Sequence, residues 1–158
     1  AGRPPALDLK REAALHKLIV KLIRDGCIES AHDCSEGGLA IALAECSFDS
    51  GGFGASADVT AVGSEAAYSV QATLLGESAS RIVVSVASDH LDTVMTAAEE
   101  AGIAARDVGG VGGDSIRLGG HGTVAIDSLV SVAERAWATA IEEKMQASEG
   151  RMQKIPRA

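Results

Sequence analysis

The stretch His32-Asp33-Cys34-Ser35-Glu36-Gly37-Gly38-Leu39-Ala40 decides how the rest of the chain is read. Ile28 to Ala31, just before it, is a short and partly apolar run suited to a strand. Asp33 and Ser35 are helix-capping residue types, because their short side chains accept from backbone N–H groups. Gly37 and Gly38 let the backbone turn tightly and approach another group closely. Leu39 to Phe48 is then apolar almost all round, as a buried helix is. A strand end, a glycine pair and a helix N-terminus together point backbone N–H groups at one place, where an anion is favoured. The same residues also fit a plain turn into a well-capped helix with no ligand, since short glycine matches recur by chance.

Upstream, Asp8 is placed to cap a helix whose Leu15, Leu18, Ile19, Leu22 and Ile23 share one face, with Lys17, Lys21 and Arg24 opposite. Gly26 is the expected helix stop, and His16 reads as a solvated helix residue. Ala1 to Ala6, with Pro4-Pro5, reads as a linker. Residues 7–147 read as one domain and 148–158 as a polar tail carrying Arg151, Lys154 and Arg157.

The composition narrows the function. The chain has 158 residues, 46% hydrophobic and 23% charged, enough for one ordinary globular core. Aromatic residues are only 3%, so Ala, Val, Ile and Leu must fill that core. Lys and Arg number 14 against 22 Asp and Glu, a net charge of −8. Non-specific nucleic-acid or membrane-surface binding needs a basic face and is not expected. One local phosphate pocket is still compatible with that charge. Cys27, Cys34 and Cys46 lack metal-ligand spacing and read as buried thiols in a reducing compartment. No apolar run approaches the roughly 20 residues of a membrane span, and the N-terminus lacks a signal-peptide pattern, so the cytoplasm is the default location.

Downstream, Asp49-Ser50-Gly51-Gly52 breaks the helix and Phe53 to Val59 suits a strand. Ser64 is placed to cap a helix over Glu65 to Leu75, although Tyr68, Ser69 and Val70 also suit a strand. Arg81 to Ala87 is the clearest strand, and its nearly continuous apolar run predicts burial on both faces. Ser88-Asp89 is placed to cap a helix over His90 to Ala101, followed by a strand over Ile103 to Val108. Gly109-Gly110 and Gly112-Gly113 read as a hairpin leading to a strand over Ser115 to Leu118, rather than as a phosphate cradle. Gly119 to Gly122 makes a turn into a strand over Thr123 to Ile126. Asp127 or Ser128 is then expected to cap a last helix with Trp137 anchored in its apolar stripe. The order of elements gives α/β or α+β, with helices layered on a mixed sheet.

Glu77-Ser78-Ala79-Ser80-Arg81 lies before the clearest strand and carries donors and acceptors suited to a phosphorylated, hydroxylated ligand. The alternative is a self-contained loop with Arg81 paired to Glu77. His32-Asp33 lacks an activated nucleophile beside it. Asp33 is read as holding the turn through backbone N–H groups rather than as moving protons.

Two motifs carry a family resemblance. HDCSEGGLAIALAE, from His32, resembles the HDVSEGGLAVALAE segment of phosphoribosylformylglycinamidine synthases. LLGESASRIVVS, from Leu74, resembles that family's LFGES-x-SR-x-VVS. With Asp127-Ser128-Leu129 and the helix after it, the resemblance covers nearly the whole chain. It points to the last domain of the synthetase subunit, a C-terminal-type module of the aminoimidazole-ribotide-synthetase-like superfamily with a layered α/β fold. The family converts formylglycinamide ribonucleotide to its amidine with ATP, magnesium and ammonia from glutamine. Its catalytic His, magnesium carboxylates and ATP lysine lie in N-terminal-type modules, so the resemblance implies no catalytic residue and no metal ligand here. It implies a fragment inactive alone, with a structural or auxiliary nucleotide-pocket role. Its expected partners are the other synthetase modules and a glutamine amidotransferase domain or subunit, with no nucleic acid and no membrane. The candidate ligand or phosphate residues are Asp33, Ser35, Glu36, Gly37 and Gly38 with Glu77, Ser78, Ala79, Ser80 and Arg81. Cys34 stands where the family usually has Val, and Leu75 where it commonly has Phe. A non-catalytic binding or assembly module, or a sister family such as aminoimidazole ribotide synthetase, remains the alternative; LLGESASR favours the amidine synthase.

Overall fold

Asp8 starts the first helix as its position predicts. Its Oδ1 accepts from the N–H of Lys10 at 2.9 Å and of Arg11 at 3.2 Å. The computed structural model describes residues 7–48, 50–61 and 70–152. Helix α1 spans Leu9–Arg24 and buries Leu15, Leu18 and Leu22. Gly26 follows at φ 71°, and the Cys27 N–H returns to the Leu22 carbonyl at 2.9 Å. Helix α4, Leu91–Glu100, supplies Val94 and Ala98 against this face, and Ile103 completes that core.

A second core lies between helix α2, Gly38–Ser47, and a mixed sheet. The sheet contains β2 (Ala55–Asp58), β4 (Gly109–Val111), β5 (Ser115–Gly120) and β6 (Thr123–Leu129) in the order β4-β2-β5-β6. β2 and β5 are parallel, while the other pairs are antiparallel. Leu39, Ala40 and Leu43 of α2 meet Ile116 and Leu118, and Leu118 is 0% exposed. Between the two cores runs an antiparallel ribbon of β1 (Ser30–Asp33) and β3 (Ile82–Ser85), with Asp33 opposite Ile82. Helix α3, Val70–Leu75, and helix α5, Val130–Met152, complete the fold, which is the layered helix-on-mixed-sheet class expected.

Several local expectations change. β3 is half-buried along its length, not buried on both faces, because β1 is its single paired strand among the described residues. Residues 103–108 form no strand. Ile103 closes α4 through the Ala98 carbonyl and drops into the α1/α4 core, so pairing begins only at Gly109. The glycines at 109–113 are not a hairpin, because β4 and β5 lie on opposite edges of β2. The loop wraps Gly54 instead, with Gly112 N–H on the Gly54 carbonyl and Gly54 N–H on the Gly113 carbonyl, both at 2.9 Å. A Cβ on Gly54 would stand 2.1 Å from the Ser115 carbonyl oxygen.

Asp127 and Ser128 lie inside β6 and cap nothing. Asp127 pairs with Arg117 of the neighbouring strand β5 at 2.9 Å, an exposed pair of small energetic weight. Ser88-Asp89 does not cap α4 either, since His90 stands at the cap without a side-chain bond. Trp137 is half-buried and lines an apolar groove of about 320 Å³ with Ala40, Ile41, Phe48 and Ile126. α5 continues to Met152, five residues past 147. The expected linker at 1–6, the Ser64 cap and residues 153–158 lie outside the described residues.

Replacing Leu118 by Ala should cost about 2–5 kcal/mol, because the site cannot collapse around a lost fully buried side chain. Val111→Ala, at a position 68% exposed, should stay within about 0.5 kcal/mol. Urea unfolding of the two variants checks this.

The end of β2 adds a pH prediction. The Thr60 hydroxyl, then the Thr60 N–H and the nearby His121, hold the exposed Asp58 carboxyl below its usual range. His121 N–H donates to the same Thr60 hydroxyl at 2.6 Å, tying the β5–β6 turn to the short turn after β2. A carboxyl with a depressed folded pKa stabilises above its unfolded pKa and loses that contribution as pH falls through its folded value. The stability gap between wild type and Asp58→Asn should therefore close on acidification, which acid-denaturation curves measure.

Candidate functional site

The ribbon brings the two sequence motifs together. β1 ends where β3 begins, so Asp33 and Arg81 arrive side by side, and Cys34 N–H donates to the Arg81 carbonyl at 3.0 Å. From β1 the chain turns through Ser35 and Glu36 into Gly37 and Gly38, at φ 78° and 67°. Gly38 is packed so closely on the end of α3 that a Cβ would stand 2.8 Å from the Gly76 carbonyl oxygen and 2.9 Å from that of Leu74.

Neither Asp33 nor Ser35 caps α2; the cap position is Gly37, without a side-chain bond of its own. The anion at this helix start comes from the second motif instead. Glu77 Oε1 accepts from the Gly37 N–H at 2.9 Å. A carboxylate there meets an orphan donor and the positive end of the helix dipole.

Arg81 is also drawn inward. Its guanidinium donates to the carbonyls of Gly76 at 3.2 Å and Thr73 at 3.4 Å, and to the Ser78 hydroxyl at 3.1 Å. These are the last carbonyls of α3 and the loop after it, so Arg81 stitches that loop down rather than pairing with Glu77. Ser80 sits at φ 62°, and its hydroxyl donates to Glu12 of α1. Glu12 Oε1 also lies 3.0 Å from His16 Nε2.

These groups surround one cavity of about 550 Å³. Asp33, Ser35 and Glu36 line one side, and Glu77, Ser78, Ala79, Ser80 and Arg81 line the other. Gly37 and Gly38 stand outside this lining. Glu12 and His16 form a third wall that the sequence reading left out. The two residues are one helical turn apart, but nothing local in the sequence says that this face meets a loop 68 positions later. Carboxylates therefore outnumber cationic groups around the cavity: Glu12, Asp33, Glu36 and Glu77 against Arg81, with the imidazole of His16 beside Glu12.

The thiol of Cys34 is buried in the wall, where burial raises its pKa and the nearby Arg81 partly opposes the rise. His32 faces away from it, with Nε2 3.3 Å from Glu45 and Nδ1 2.8 Å from the Asp33 carbonyl oxygen. No Cys–His couple is built here. Among the described residues no three His, Cys, Asp or Glu side chains converge to hold a metal.

Comparison with known proteins follows the same lines. The family model described as AIR synthase related protein, C-terminal domain, matches residues 1–121. The phosphoribosylformylglycinamidine synthase subunit PurL of Anaeromyxobacter dehalogenans (strain 2CP-C) is 40% identical over 149 residues, covering 87% of this chain. That of Anaeromyxobacter sp. (strain Fw109-5) is 37% identical over 141 residues, with the same coverage. The chain spans only 18% of the length of either relative. Among solved structures, Thermotoga maritima PurL complexed with ADP aligns with a TM-score of 0.74 at 19% identity, over 85% of this chain and 26% of that one. The structure of PurLQS from the same organism also gives 0.74, at 19% identity, over 82% and 22%. At that identity the likeness shows the fold.

Arg81→Ala should cost about 1–3 kcal/mol, since it leaves carbonyls without a charged donor. Arg81→Lys should recover only part of this, because an ammonium lacks the guanidinium fork. Equilibrium unfolding in urea, compared with wild type, measures both.

Proposed function

We propose a function from the premise that this chain belongs to the family of AIR synthase related protein C-terminal domains: it is the last domain of the synthetase subunit of a phosphoribosylformylglycinamidine synthase. In that reading the parent is an ATP-dependent ligase of purine biosynthesis that makes formylglycinamidine ribonucleotide from formylglycinamide ribonucleotide and glutamine-derived ammonia. It works in the cytoplasm with a glutamine amidotransferase partner. The identities of 37% and 40% to PurL subunits support this reading. So does the likeness to a PurLQS structure. The domain's own part is to complete an auxiliary nucleotide pocket, without catalytic residues.

The observation that carries the pocket is the meeting of both motifs around one cavity. Its volume of about 550 Å³ suits a small-molecule ligand. Its chemistry suits a nucleotide carrying magnesium better than a bare phosphate. Glu77 already takes the helix N–H at Gly37, and Arg81 is spent on carbonyls. A free anion would meet mostly carboxylates. Magnesium takes one or two carboxylates beside substrate phosphates and keeps several waters, so it needs no all-protein cage. Asp33, Glu36 and Glu77 are the exposed carboxylates that line the cavity. When bound, the ion would offset the phosphate charge. Ser35 and Ser78 would donate to ligand oxygens, and Glu77 would accept from sugar hydroxyls.

Calorimetric titration of MgADP into this chain tests the reading. Saturable one-site binding is expected, weakened at least tenfold in Glu77→Ala/Arg81→Ala while the variant still melts cooperatively. No saturable heat with the wild type would overturn the pocket.

A further inference from the structure

We infer that Glu12 of α1 is a positioning residue of this pocket, setting the Ser78–Arg81 segment through the hydroxyl of Ser80. The inference about ligand affinity rests on the pocket proposed above; the positioning itself does not. Ser80 is one of two described non-glycine residues with positive φ, at 62°. An L-residue holds that conformation only where its surroundings over-determine it. The contact that does so here is long-range: the Ser80 hydroxyl donates to Glu12 Oε2, from an element 68 positions away.

Glu12 is well placed to impose a conformation. Its own N–H donates to the Asp8 carbonyl at 2.9 Å, fixing it in the first turn of α1. Leu15, Leu18 and Leu22 of that helix are buried against α4. The carboxylate thus stands on a rigid element and reaches a loop. Its other oxygen lies 3.0 Å from His16 Nε2, which limits how the carboxylate swings. The next residue after Ser80 is Arg81, whose guanidinium holds the Gly76 carbonyl and the Ser78 hydroxyl. A serine held left-handed therefore fixes where the arginine side chain starts, and with it the pocket's loop wall.

A simpler role for Glu12 is a first-turn acid favouring the helix dipole. The geometry argues against that as its main part. Asp8 already accepts from the first-turn N–H groups, while both Glu12 oxygens are engaged by side chains.

Amide hydrogen exchange and MgADP titration on wild type, Glu12→Ala, Glu12→Gln, Ser80→Ala and Asp8→Ala test this. In Glu12→Ala, exchange of the Cys34 N–H, which the segment holds through the Arg81 carbonyl, should rise at least tenfold and MgADP affinity fall at least tenfold. Glu12→Gln keeps an acceptor oxygen and should restore most of both. Asp8→Ala, which weakens α1 without touching Ser80, should leave that exchange unchanged. The double variant Glu12→Ala/Ser80→Ala should lose no more than either single one. Unchanged exchange in Glu12→Ala, additive losses in the double variant, or an equal response to Asp8→Ala would overturn the inference. If wild type fails to bind MgADP, the pocket reading fails, and the exchange data alone still decide the role of Glu12.

Discussion

The close approach of Gly38 to the end of α3 is the constraint on which the rest of the site depends. With no room for a Cβ against the carbonyls of Leu74 and Gly76, the first turn of α2 is seated on the α3 terminus. That seating brings Glu77 within reach of the Gly37 N–H. An N-cap of this kind is worth about 1 kcal/mol, and here it also joins two segments forty positions apart. A residue with any side chain at Gly38 would separate α2 from α3, and the carboxylate would lose its donor. The left-handed φ of 67° adds backbone strain to the steric clash for any replacement.

The ribbon of β1 and β3 explains why this junction is also a cavity. One core lies under α1 and α4, the other under α2 and the mixed sheet. Cys34 and Val83 pack towards the second core, while Ile82 and Val86 pack towards the first. The ribbon is thus shared by two separately packed units. At its end the polar backbone of residues 34–38 and 76–81 has no hydrophobic layer to cover it. The Gly37 N–H is satisfied across the gap by Glu77, and the Gly76 carbonyl by Arg81 of its own segment. Buried polar groups need such partners. The outcome is a concave, hydrogen-bonded rim.

Much of this was legible in the sequence, for physical reasons. α1 and its Asp8 cap follow from local spacing, as do α2 after the glycine pair and the turn before β6. Each depends on residues within a few positions. Both candidate segments stood out in the sequence, the second mainly through the family resemblance, and eight of the ten candidate residues line one cavity. The mistakes lie where a tertiary partner decides. The loop at 109–113 resembles a hairpin until β2 is known to lie between β4 and β5. Asp127, a good capping type, is taken by Arg117 across the β5–β6 pair. Trp137 sits in an apolar stripe but lines a groove, and Val132 and Ile141 of the same helix are 45% and 43% exposed. Glu12 was invisible because its partner is a serine far along the chain.

The roles exchanged between Arg81 and Glu77 bear most on function. By residue type, the arginine suits a ligand phosphate and the glutamate its hydroxyls, or else the two pair with each other. In the folded chain the glutamate occupies the anion-binding helix start, and the arginine holds carbonyls. Each is internally satisfied, so the cavity is ordered before any ligand arrives. Pre-organisation of this kind lowers the cost of binding, but it also removes the two strongest groups for a bare phosphate from competition. What remains facing the cavity is acceptor-rich, and the overall charge of −8 deepens that bias. A ligand entering here must bring its own donors or its own cation. Sugar hydroxyls and a metal-bound diphosphate supply both, and that wall chemistry is what the proposed magnesium-nucleotide reading rests on.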